Sequence, residues 1–459
     1  MRGYWLWQTS QRIADLRDGL DTSLPVRLSG FIGIAVMLAL AWTLSTHRRR
    51  INWRLVGLGV ALQGALGVVV LKTAAGRWLF QVANIAFTQL LGFTQQGASF
   101  LFGNLVNNNV PVGVPLGEPA RMSDLQTGEM WANTGSFLAF SVLPTIIFFA
   151  ALTSILYHLG VLQRIVGAIA WIMRRVMGTS GAETLSVAGN IFVGPTEAPL
   201  LIKPFIGSMT YSELNTVMVG GFATIAGGVM AAYVAMLTPY FSDIAGHLLT
   251  ASVMNAPAAL LISKILVPEV DRPETRGTSD VTVEREGVNL IDAASSGAAQ
   301  GLKLALNVGA MLLAFVALIA LFNAVLGALG GLIGLPQLSI EWLLGWVFRW
   351  VALAMGVPWS EAGLVGSLIG VKTVLTEFIA YLQLAANLGS SEPLSPRAAV
   401  IATYALLGFA NLPSIAIQIG GIGGIAPERR GDLSRLGLRA MIGGNLAAFL
   451  SACWAGILL

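Results

Sequence analysis

Two acidic residues lie in long apolar stretches of this 459-residue chain: Glu197, within the segment Gly194–Pro199, and Glu377, directly after Thr376. A carboxylate at bilayer depth costs several kcal/mol unless it faces a polar cavity or a partner. An ionised carboxylate accepts hydrogen bonds at both oxygens, so it can take part in the binding of a small polar molecule. The alternative interpretation is a structural carboxylate that caps a neighbouring helix.

The segment around Glu197 cannot form a continuous spanning helix. Gly194, Pro195 and Pro199 interrupt it, because proline lacks a backbone donor and clashes with the preceding helical turn. The segment is therefore predicted to be a re-entrant hairpin, whose tip exposes backbone N–H and C=O groups to a polar ligand.

A second polar group, Asn411 and Ser414, follows Gly408 in another apolar stretch. Pro413 lies between them and is expected to unwind the helix locally. The two side chains either line the same cavity as the carboxylates or form hydrogen bonds between helices, which is common for Asn and Ser in membranes. The residues themselves leave both interpretations open.

The elements that position these residues are predicted to be membrane helices. Apolar residues make up 55% of the chain and charged residues 11%, whereas soluble domains carry roughly 25% charged residues. The predicted fold class is an all-α polytopic membrane protein with about eight transmembrane helices, two re-entrant hairpins and interfacial helices. The first three spans are predicted at Leu28–Leu44, Leu55–Leu71 and Phe137–Tyr157. Arginine-rich gaps such as Arg48–Arg54 are cytoplasmic under the positive-inside rule, so both termini are predicted outside.

The two halves of the chain carry the same three motifs in the same order. They are Met177-Gly178, Thr196-Glu197 and Gly221-Phe222-Ala223 in the first half, and Met355-Gly356, Thr376-Glu377 and Gly408-Phe409-Ala410 in the second. An odd number of predicted spans separates the copies, so the repeats are inverted in the membrane. Inverted repeats with broken helices are typical of secondary transporters. No motif indicates an enzyme, and no filter motif indicates a channel.

The repeats and the polar gaps define the predicted domains. These are an N-terminal extension (1–26), scaffold helices (27–160), a first transport repeat (161–267, with hairpin 1 at about 179–204), a cytoplasmic connection (268–302), a scaffold helix (303–335) and a second transport repeat (336–459, with hairpin 2 at about 358–386). Ser180 and Glu183 are predicted to form a capping box where hairpin 1 starts. Trp342, Trp346 and Trp350 are predicted on one face of an interfacial helix.

At these residues the sequence resembles the concentrative nucleoside transporter family of sodium-coupled nucleoside symporters, and in particular a bacterial member. The resemblance covers nearly all of the chain from about Leu28. Its most specific segments are Gly194–Pro199, Glu377–Tyr381, Gly408–Asn411 and Gly420–Gly431. It implies a homotrimer in the lipid bilayer of the bacterial inner membrane, and the positive-inside rule puts both termini in the periplasm. The expected partner is a nucleoside substrate, which would move inward with a cation. No nucleic acid partner is expected.

The resemblance also implies roles for individual residues. The base would meet Gly194, Pro195, Thr196, Glu197 and Val229; the ribose hydroxyls would meet Glu377, Asn411 and Ser414; and sodium, the coupling ion, would bind at Asn190, Val193, Thr224 and Ile225. Backbone carbonyls at a hairpin tip, together with an amide and a hydroxyl, are oxygen ligands that suit a hard cation.

Four positions depart from the family pattern. Pro195 replaces the usual Gln beside the base, Thr376 replaces an Asn, Pro413 replaces a small polar residue, and Thr224 stands where Ser is common. A Gln offers two donors and an acceptor, whereas Pro offers only its carbonyl, so the preferred base stays open. Thr224 keeps the hydroxyl oxygen that a sodium site needs.

The expected function is the import of nucleosides by sodium–nucleoside symport through alternating access, without enzymatic activity. Three alternatives stay open. In the first, transport is coupled to protons carried by Glu197 or Glu377 instead of to sodium. In the second, the substrate is a related riboside, because Pro195 changes the base site. In the third, the protein binds its ligand as a sensor and does not transport it.

Overall fold

A computed structural model of the protein describes residues 24–106, 109–111, 131–133, 138–276 and 288–459. Residues 1–23, most of the predicted N-terminal extension, lie outside the described residues. The described chain is helical apart from its turns and one two-stranded antiparallel ribbon, in which Asn109–Pro111 pairs with Trp131–Asn133.

Sixteen α-helices, numbered in chain order, account for most of the described residues. They are α1 (Leu24–Thr43), α2 (Trp53–Lys72), α3 (Ala74–Phe102), α4 (Leu143–His158), α5 (Val161–Met177), α6 (Gly181–Gly189), α7 (Tyr211–Ala223), α8 (Gly227–Leu237), α9 (Ile244–Leu266), α10 (Leu290–Leu332), α11 (Ile340–Ala354), α12 (Trp359–Val374), α13 (Glu377–Leu388), α14 (Pro396–Leu406), α15 (Leu412–Ile425) and α16 (Arg430–Leu458).

Seven of the described helical segments are long and apolar enough to cross a membrane: α1, α2, Leu138–His158, Tyr211–Leu237 (α7 with α8), α9, α10 and Pro427–Leu458. The helices α11 and α12 form a pair bent by 116°, and α15 is a shorter apolar helix. The predicted fold class, an all-α polytopic membrane protein, is confirmed.

Burial separates an inner group of helices from an outer one. In their most apolar stretches, 89% of the residues of Tyr211–Leu237 and of α9 are buried, compared with 11% of those of α10. One face of α10 packs against α4 at Gly297 and Gly301, and its other faces are exposed. A large exposed apolar surface is unfavourable in water. The protein therefore has a packed centre around α7, α8 and α9, and α10 presents its apolar surface to lipid or to another protein.

Hairpin 1 consists of α6, an irregular turn and the 3₁₀-helix Ala198–Phe205. It follows Gly178, which ends α5 with a φ of 71°, a conformation that favours glycine. The predicted capping box is confirmed: the Ser180 N–H donates to Glu183 Oε1 at 2.9 Å. Glu183 also forms an ion pair with Lys264 of α9 at 2.8 Å, which ties the base of the hairpin to the packed centre.

Hairpin 2 consists of α12 and α13 and repeats this arrangement with longer helices. Gly356, with a φ of 92°, ends the preceding helix α11 as Gly178 ends α5. The turn between the arms is Leu375 and Thr376, and Thr376 Oγ1 accepts a hydrogen bond from the Ile379 N–H at 3.4 Å. Glu377 is consequently the first residue of α13, at the tip of the hairpin.

A broken span follows each hairpin. The first break, Thr224–Ala226, separates α7 from α8, and the second break, Leu407–Asn411, separates α14 from α15. Pro413 lies in the first turn of α15, where the missing N–H removes no helical hydrogen bond. The interruption predicted at Pro413 is therefore found just before it.

Two asparagines hold the breaks in the same way. Asn255 of α9 donates from Nδ2 to the Ala223 carbonyl at 2.6 Å, and Asn445 of α16 donates from Nδ2 to the Ala410 carbonyl at 2.9 Å. Ala223 and Ala410 are the aligned alanines of the two Gly-Phe-Ala motifs. The repeat that the sequence predicts is thus matched by equivalent hydrogen bonds at equivalent points of the structure.

Some elements differ in extent from the predicted organisation. Helix α10 begins at Leu290, inside the segment 268–302 predicted as a polar connection, and residues 277–287 of that segment lie outside the described residues. A 29-residue helix, α3, lies between the second and third predicted spans. Trp342, Trp346 and Trp350 are all exposed on α11, as their helical spacing predicts.

Candidate functional site

The two breaks touch one another. The Phe409 N–H donates to the Thr224 carbonyl at 3.3 Å. Gly408 has a φ of 111°, and a Cβ at this position would lie 2.6 Å from the Phe222 carbonyl oxygen and 2.8 Å from that of Ala223. Glycine is required there because any side chain would strain the backbone and push the breaks apart.

The tip of hairpin 1 lies against both broken spans. The Gly227 N–H, at the start of α8, donates to the Phe192 carbonyl at 3.0 Å. On the other side, a Cβ at Gly421 of α15 would collide with the side chain of Thr196. Hairpin 1 therefore contacts both the first break and α15.

Glu377 is a buried carboxylate whose two oxygens are both hydrogen-bonded. Oε1 accepts from the Tyr233 hydroxyl at 2.9 Å, and Oε2 accepts from Asn411 Nδ2 at 2.6 Å. The Tyr233 ring stacks on Tyr381 with the ring centroids 4.3 Å apart. Tyr233 belongs to α8 and Asn411 to the second break, so the carboxylate at the tip of hairpin 2 joins both repeats.

Asn411 and Ser414 are buried where α15 begins. The Ser414 N–H donates to Asn411 Oδ1 at 2.9 Å, so Asn411 caps α15 while its amide group reaches Glu377. The hydrogen bond between elements that the sequence left open is found for Asn411, which joins the second break to hairpin 2.

Glu197 has a different environment from Glu377. Its side chain is exposed, and Oε1 accepts a hydrogen bond from the Thr196 hydroxyl at 2.9 Å. Val229, on α8, is buried and lies one helical turn before Tyr233. Because residues four apart share one face of a helix, α8 connects the Val229 side of the site to Glu377.

Pro195 packs against a glycine of α7 and near a buried glutamine. A Cβ at Gly221 would lie 2.9 Å from Pro195 Cβ and 2.9 Å from Gln418 Nε2. Gln418 Nε2 donates to the Met218 carbonyl at 3.2 Å, and its Oε1 is buried without a hydrogen-bond partner among the described residues. The side chain of Gln418, whose acceptor oxygen has no partner among the described residues, therefore lies close to Pro195, the position where Gln is usual in the family.

The predicted sodium ligands lie where hairpin 1 meets the first break. Asn190 Oδ1 is buried and has no hydrogen-bond partner among the described residues. Thr224 Oγ1 donates to the Gly220 carbonyl at 2.9 Å, so its lone pairs stay available. Val193 lies in the turn that follows α6, and Ile225 lies in the first break. Amide, hydroxyl and carbonyl oxygens are the ligands that a hard cation prefers, and a buried amide oxygen without a partner is unfavourable.

Three residues of this region were missed by the sequence reasoning: Tyr233, Lys372 and Gln418. Each of them carries a detectable signal in the sequence. Tyr233 follows Val229 by four residues and Gln418 follows Ser414 by four, so each shares a helical face with a predicted site residue. Lys372 is a lysine in an apolar helix, which by itself indicates a functional position.

Two hairpins, two broken helices and an equivalent pair of asparagine hydrogen bonds agree with the internal repeats and broken helices that are typical of secondary transporters. The matching family models are "Na+ dependent nucleoside transporter N-terminus" over residues 32–105, "Nucleoside recognition" (Gate) over 139–240, and "Na+ dependent nucleoside transporter C-terminus" over 247–456. The chain belongs to the Na⁺-dependent nucleoside transporter family.

Similar proteins occur in animals and bacteria. The sodium/nucleoside cotransporter 1 of Rattus norvegicus is 41% identical over 453 residues, which are 96% of this chain and 65% of the rat protein. The uncharacterized transporter YutK of Bacillus subtilis is 42% identical over 431 residues, which are 94% of this chain and 99% of YutK. The chain thus spans 65% of the length of the rat relative and nearly all of the Bacillus one.

Solved structures of CNTnw have the same fold. CNTnw in an inward-facing substrate-bound state is 42% identical, with a TM-score of 0.83 over 94% of this chain and 98% of CNTnw. A CNTnw variant in an outward-facing state is 41% identical, with a TM-score of 0.85 over 95% of this chain and 98% of the variant.

Proposed function

We propose that this protein imports nucleosides by sodium–nucleoside symport through alternating access. The observation that carries the proposal is the meeting of the two breaks, with Glu377 joining Tyr233 of α8 to Asn411 of the second break. Hairpin 1 contacts both broken spans, and Asn190 Oδ1 in this hairpin is buried without a hydrogen-bond partner among the described residues. Broken helices of this kind expose helix ends and free carbonyls to a substrate and an ion. The family models and the named relatives support sodium rather than proton coupling.

Sodium is proposed to bind at Asn190, Val193, Thr224 and Ile225. The C-terminal ends of α6 and α7 point to this place, and a helix C-terminus carries a partial negative charge that attracts a cation. Sodium would link hairpin 1 to the first break. Because hairpin 1 also contacts α15 through Thr196, the ion would order the substrate site at the same time.

The nucleoside is proposed to bind between the hairpin tips, with its parts held by different repeats. The ribose hydroxyls would bind Glu377, Asn411 and Ser414, since a charged acceptor and two polar neighbours lie together there. The base would lie against Gly194, Pro195, Thr196, Glu197 and Val229. The exposed Glu197 and the half-buried Thr196 offer hydrogen-bonding groups, and the buried Val229 offers an apolar contact.

Alternating access is proposed to move the two hairpins and the two broken spans together. The contacts between the breaks, and between Glu377 and both repeats, join these elements into one unit. Solved structures of CNTnw in inward-facing, intermediate and outward-facing states support such a movement in a protein of this fold.

The protein is further proposed to form a homotrimer in a bacterial inner membrane. The apolar and largely exposed helix α10 provides surface for neighbouring protomers or lipid. The arginines at Arg48–Arg50 and Arg429–Arg439 would face the cytoplasm, which puts both termini in the periplasm.

The proposal is tested by reconstituting the full-length protein into liposomes. Uptake of radiolabelled uridine, cytidine, adenosine and guanosine is measured under an inward sodium gradient, and separately under a proton gradient in potassium buffer. We expect accumulation with sodium. Uptake with the proton gradient alone would contradict the sodium site, and absence of uptake with either gradient would contradict the nucleoside assignment.

A further inference from the structure

Lys372 is a fully buried cation that the proposed site does not use. It lies in the last turn of α12, and its Nζ donates to the Ala405 carbonyl at 3.0 Å and to the Leu407 carbonyl at 3.5 Å. Nζ also lies 5.7 Å from the centre of the Phe449 ring. Among the described residues no carboxylate forms an ion pair with it. A buried ammonium of this kind requires fixed dipoles in place of its water.

The dipoles that surround Lys372 belong to the end of α14. This helix ends at Leu406, so the carbonyls of its last turn lack intrahelical partners. Together they carry a partial negative charge of roughly half an electron. The ammonium therefore neutralises the end of α14 at the point where the second break begins.

The first repeat has a different arrangement at the aligned positions, which lie in the last two turns of α7. When the Gly-Phe-Ala motifs are aligned, the carbonyls of Ala405 and Leu407 correspond to those of Met218 and Gly220. These accept hydrogen bonds from two neutral groups, Gln418 Nε2 at 3.2 Å and Thr224 Oγ1 at 2.9 Å. In the last two turns of α7 the aligned carbonyls therefore meet neutral donors instead of a fixed cation among the described residues, and sodium is proposed to bind where this helix ends.

We propose that Lys372 is a tethered cation that neutralises the C-terminal end of α14, as an exchangeable sodium ion neutralises the C-terminal end of α7. In each repeat the cation lies between the C-terminal end of the first hairpin helix and the C-terminal end of the first half of the broken span. This inference rests on the proposed function, because the sodium position is itself part of that proposal. It implies one exchangeable sodium ion for each nucleoside.

Lys372 acts on the substrate site as a positioning residue. The carbonyls that it holds lead directly into the second break, which ends at Asn411, and Asn411 donates to Glu377 at 2.6 Å. Glu377 itself follows Lys372 by five residues in the same hairpin. The ammonium therefore holds the backbone that orients Asn411 and supplies a positive charge near the buried carboxylate, without touching the nucleoside.

The experiment measures uridine binding to the full-length protein in saturating sodium. Lys372→Met keeps the length of the side chain and removes its charge, and Lys372→Ala leaves space for a small amine. Lys303→Met, on the exposed surface of α10, is the matched control. We expect both Lys372 variants to bind uridine at least tenfold more weakly than the wild type. We expect n-propylammonium, but not propan-1-ol, to restore affinity to Lys372→Ala.

Wild-type affinity in Lys372→Met would overturn the proposal, and so would failure of n-propylammonium to restore Lys372→Ala. Sodium titration of uridine uptake by the wild type is an independent measurement that needs no variant. A Hill coefficient near one is expected, and a value near two would overturn the proposal by showing a second exchangeable sodium ion. If the wild type takes up no nucleoside with sodium, the proposed function fails instead.

Discussion

Replacing Glu377 with glutamine tests the proposed ribose site most directly. In Glu377→Gln, one of the two carboxylate oxygens becomes an NH₂ group. Toward Asn411 Nδ2, now 2.6 Å from Oε2, this would place two donors face to face. Toward Tyr233 the hydroxyl can rotate and accept instead. The glutamine is therefore expected to keep its oxygen on Asn411, so the variant loses the negative charge and keeps the shape of the site.

The size of the effect follows from the change in hydrogen-bond type. A hydrogen bond to a charged group contributes about 1.5–3 kcal/mol, and a neutral one about 0.5–1.5 kcal/mol. Losing this difference at two ribose hydroxyls amounts to about 2–3 kcal/mol, which corresponds to a roughly 30- to 150-fold weaker affinity for uridine.

The assay is isothermal titration calorimetry of the full-length protein in saturating sodium, with uridine and with 2′,3′-dideoxyuridine. The dideoxy compound lacks the hydroxyls that Glu377 is proposed to bind, so its affinity is expected to stay nearly constant in the variant. Glu392→Gln, at an exposed position before α14, is the matched control. Equal losses for uridine and the dideoxy compound would refute the ribose assignment, as would unchanged uridine affinity.

Three further predictions concern the ion, the base and the junction of the breaks. Thr224→Val removes one oxygen from the proposed sodium site, so half-maximal uptake should need roughly tenfold more sodium; unchanged sodium dependence would contradict the site. Pro195→Gln adds two donors and an acceptor beside the base and should tighten uridine binding by about 1 kcal/mol, or roughly fivefold, and competition by the four nucleosides should show an altered base preference. Gly408→Ala puts a Cβ 2.6 Å from a carbonyl oxygen at a φ of 111°, so the free energy of unfolding should fall by about 2–3 kcal/mol. Thermal unfolding in detergent measures this loss, and Gly420→Ala, where a Cβ would meet no atom within 4 Å, should leave the melting temperature unchanged if the contact is the cause.

Local patterns predicted the elements that carry the site. The prolines and glycine of Gly194–Pro199 forbid a continuous helix, and the capping box at Ser180 and Glu183 marks where hairpin 1 starts. The repeated Gly-Phe-Ala motif predicted that the two halves of the chain correspond. These signals are local because helix starts, helix breaks and turns depend on backbone groups only a few residues apart.

Long-range partners could not be predicted in the same way. Glu377 and Tyr233 are 144 positions apart, and Gln418 and the Met218 carbonyl are 200 apart. In an apolar chain many positions satisfy the requirement for a buried side chain, so sequence alone does not select which polar groups meet. Lys372 shows the same limit: its type marks it as unusual, and only the end of α14 explains its burial.

The sequence by itself determined the membrane environment, the order of spans and hairpins, the internal repeat and the two acidic residues. Composition and local backbone rules are enough for these properties, because lipid demands apolar helices and proline or glycine interrupts them. The tertiary structure decided how the interruptions meet: the two breaks touch at Gly408, Glu377 joins Tyr233 to Asn411, and Lys372 neutralises the end of α14. The physical reason is that an unpaired polar group inside the membrane must find its partner in space, wherever that partner lies along the chain.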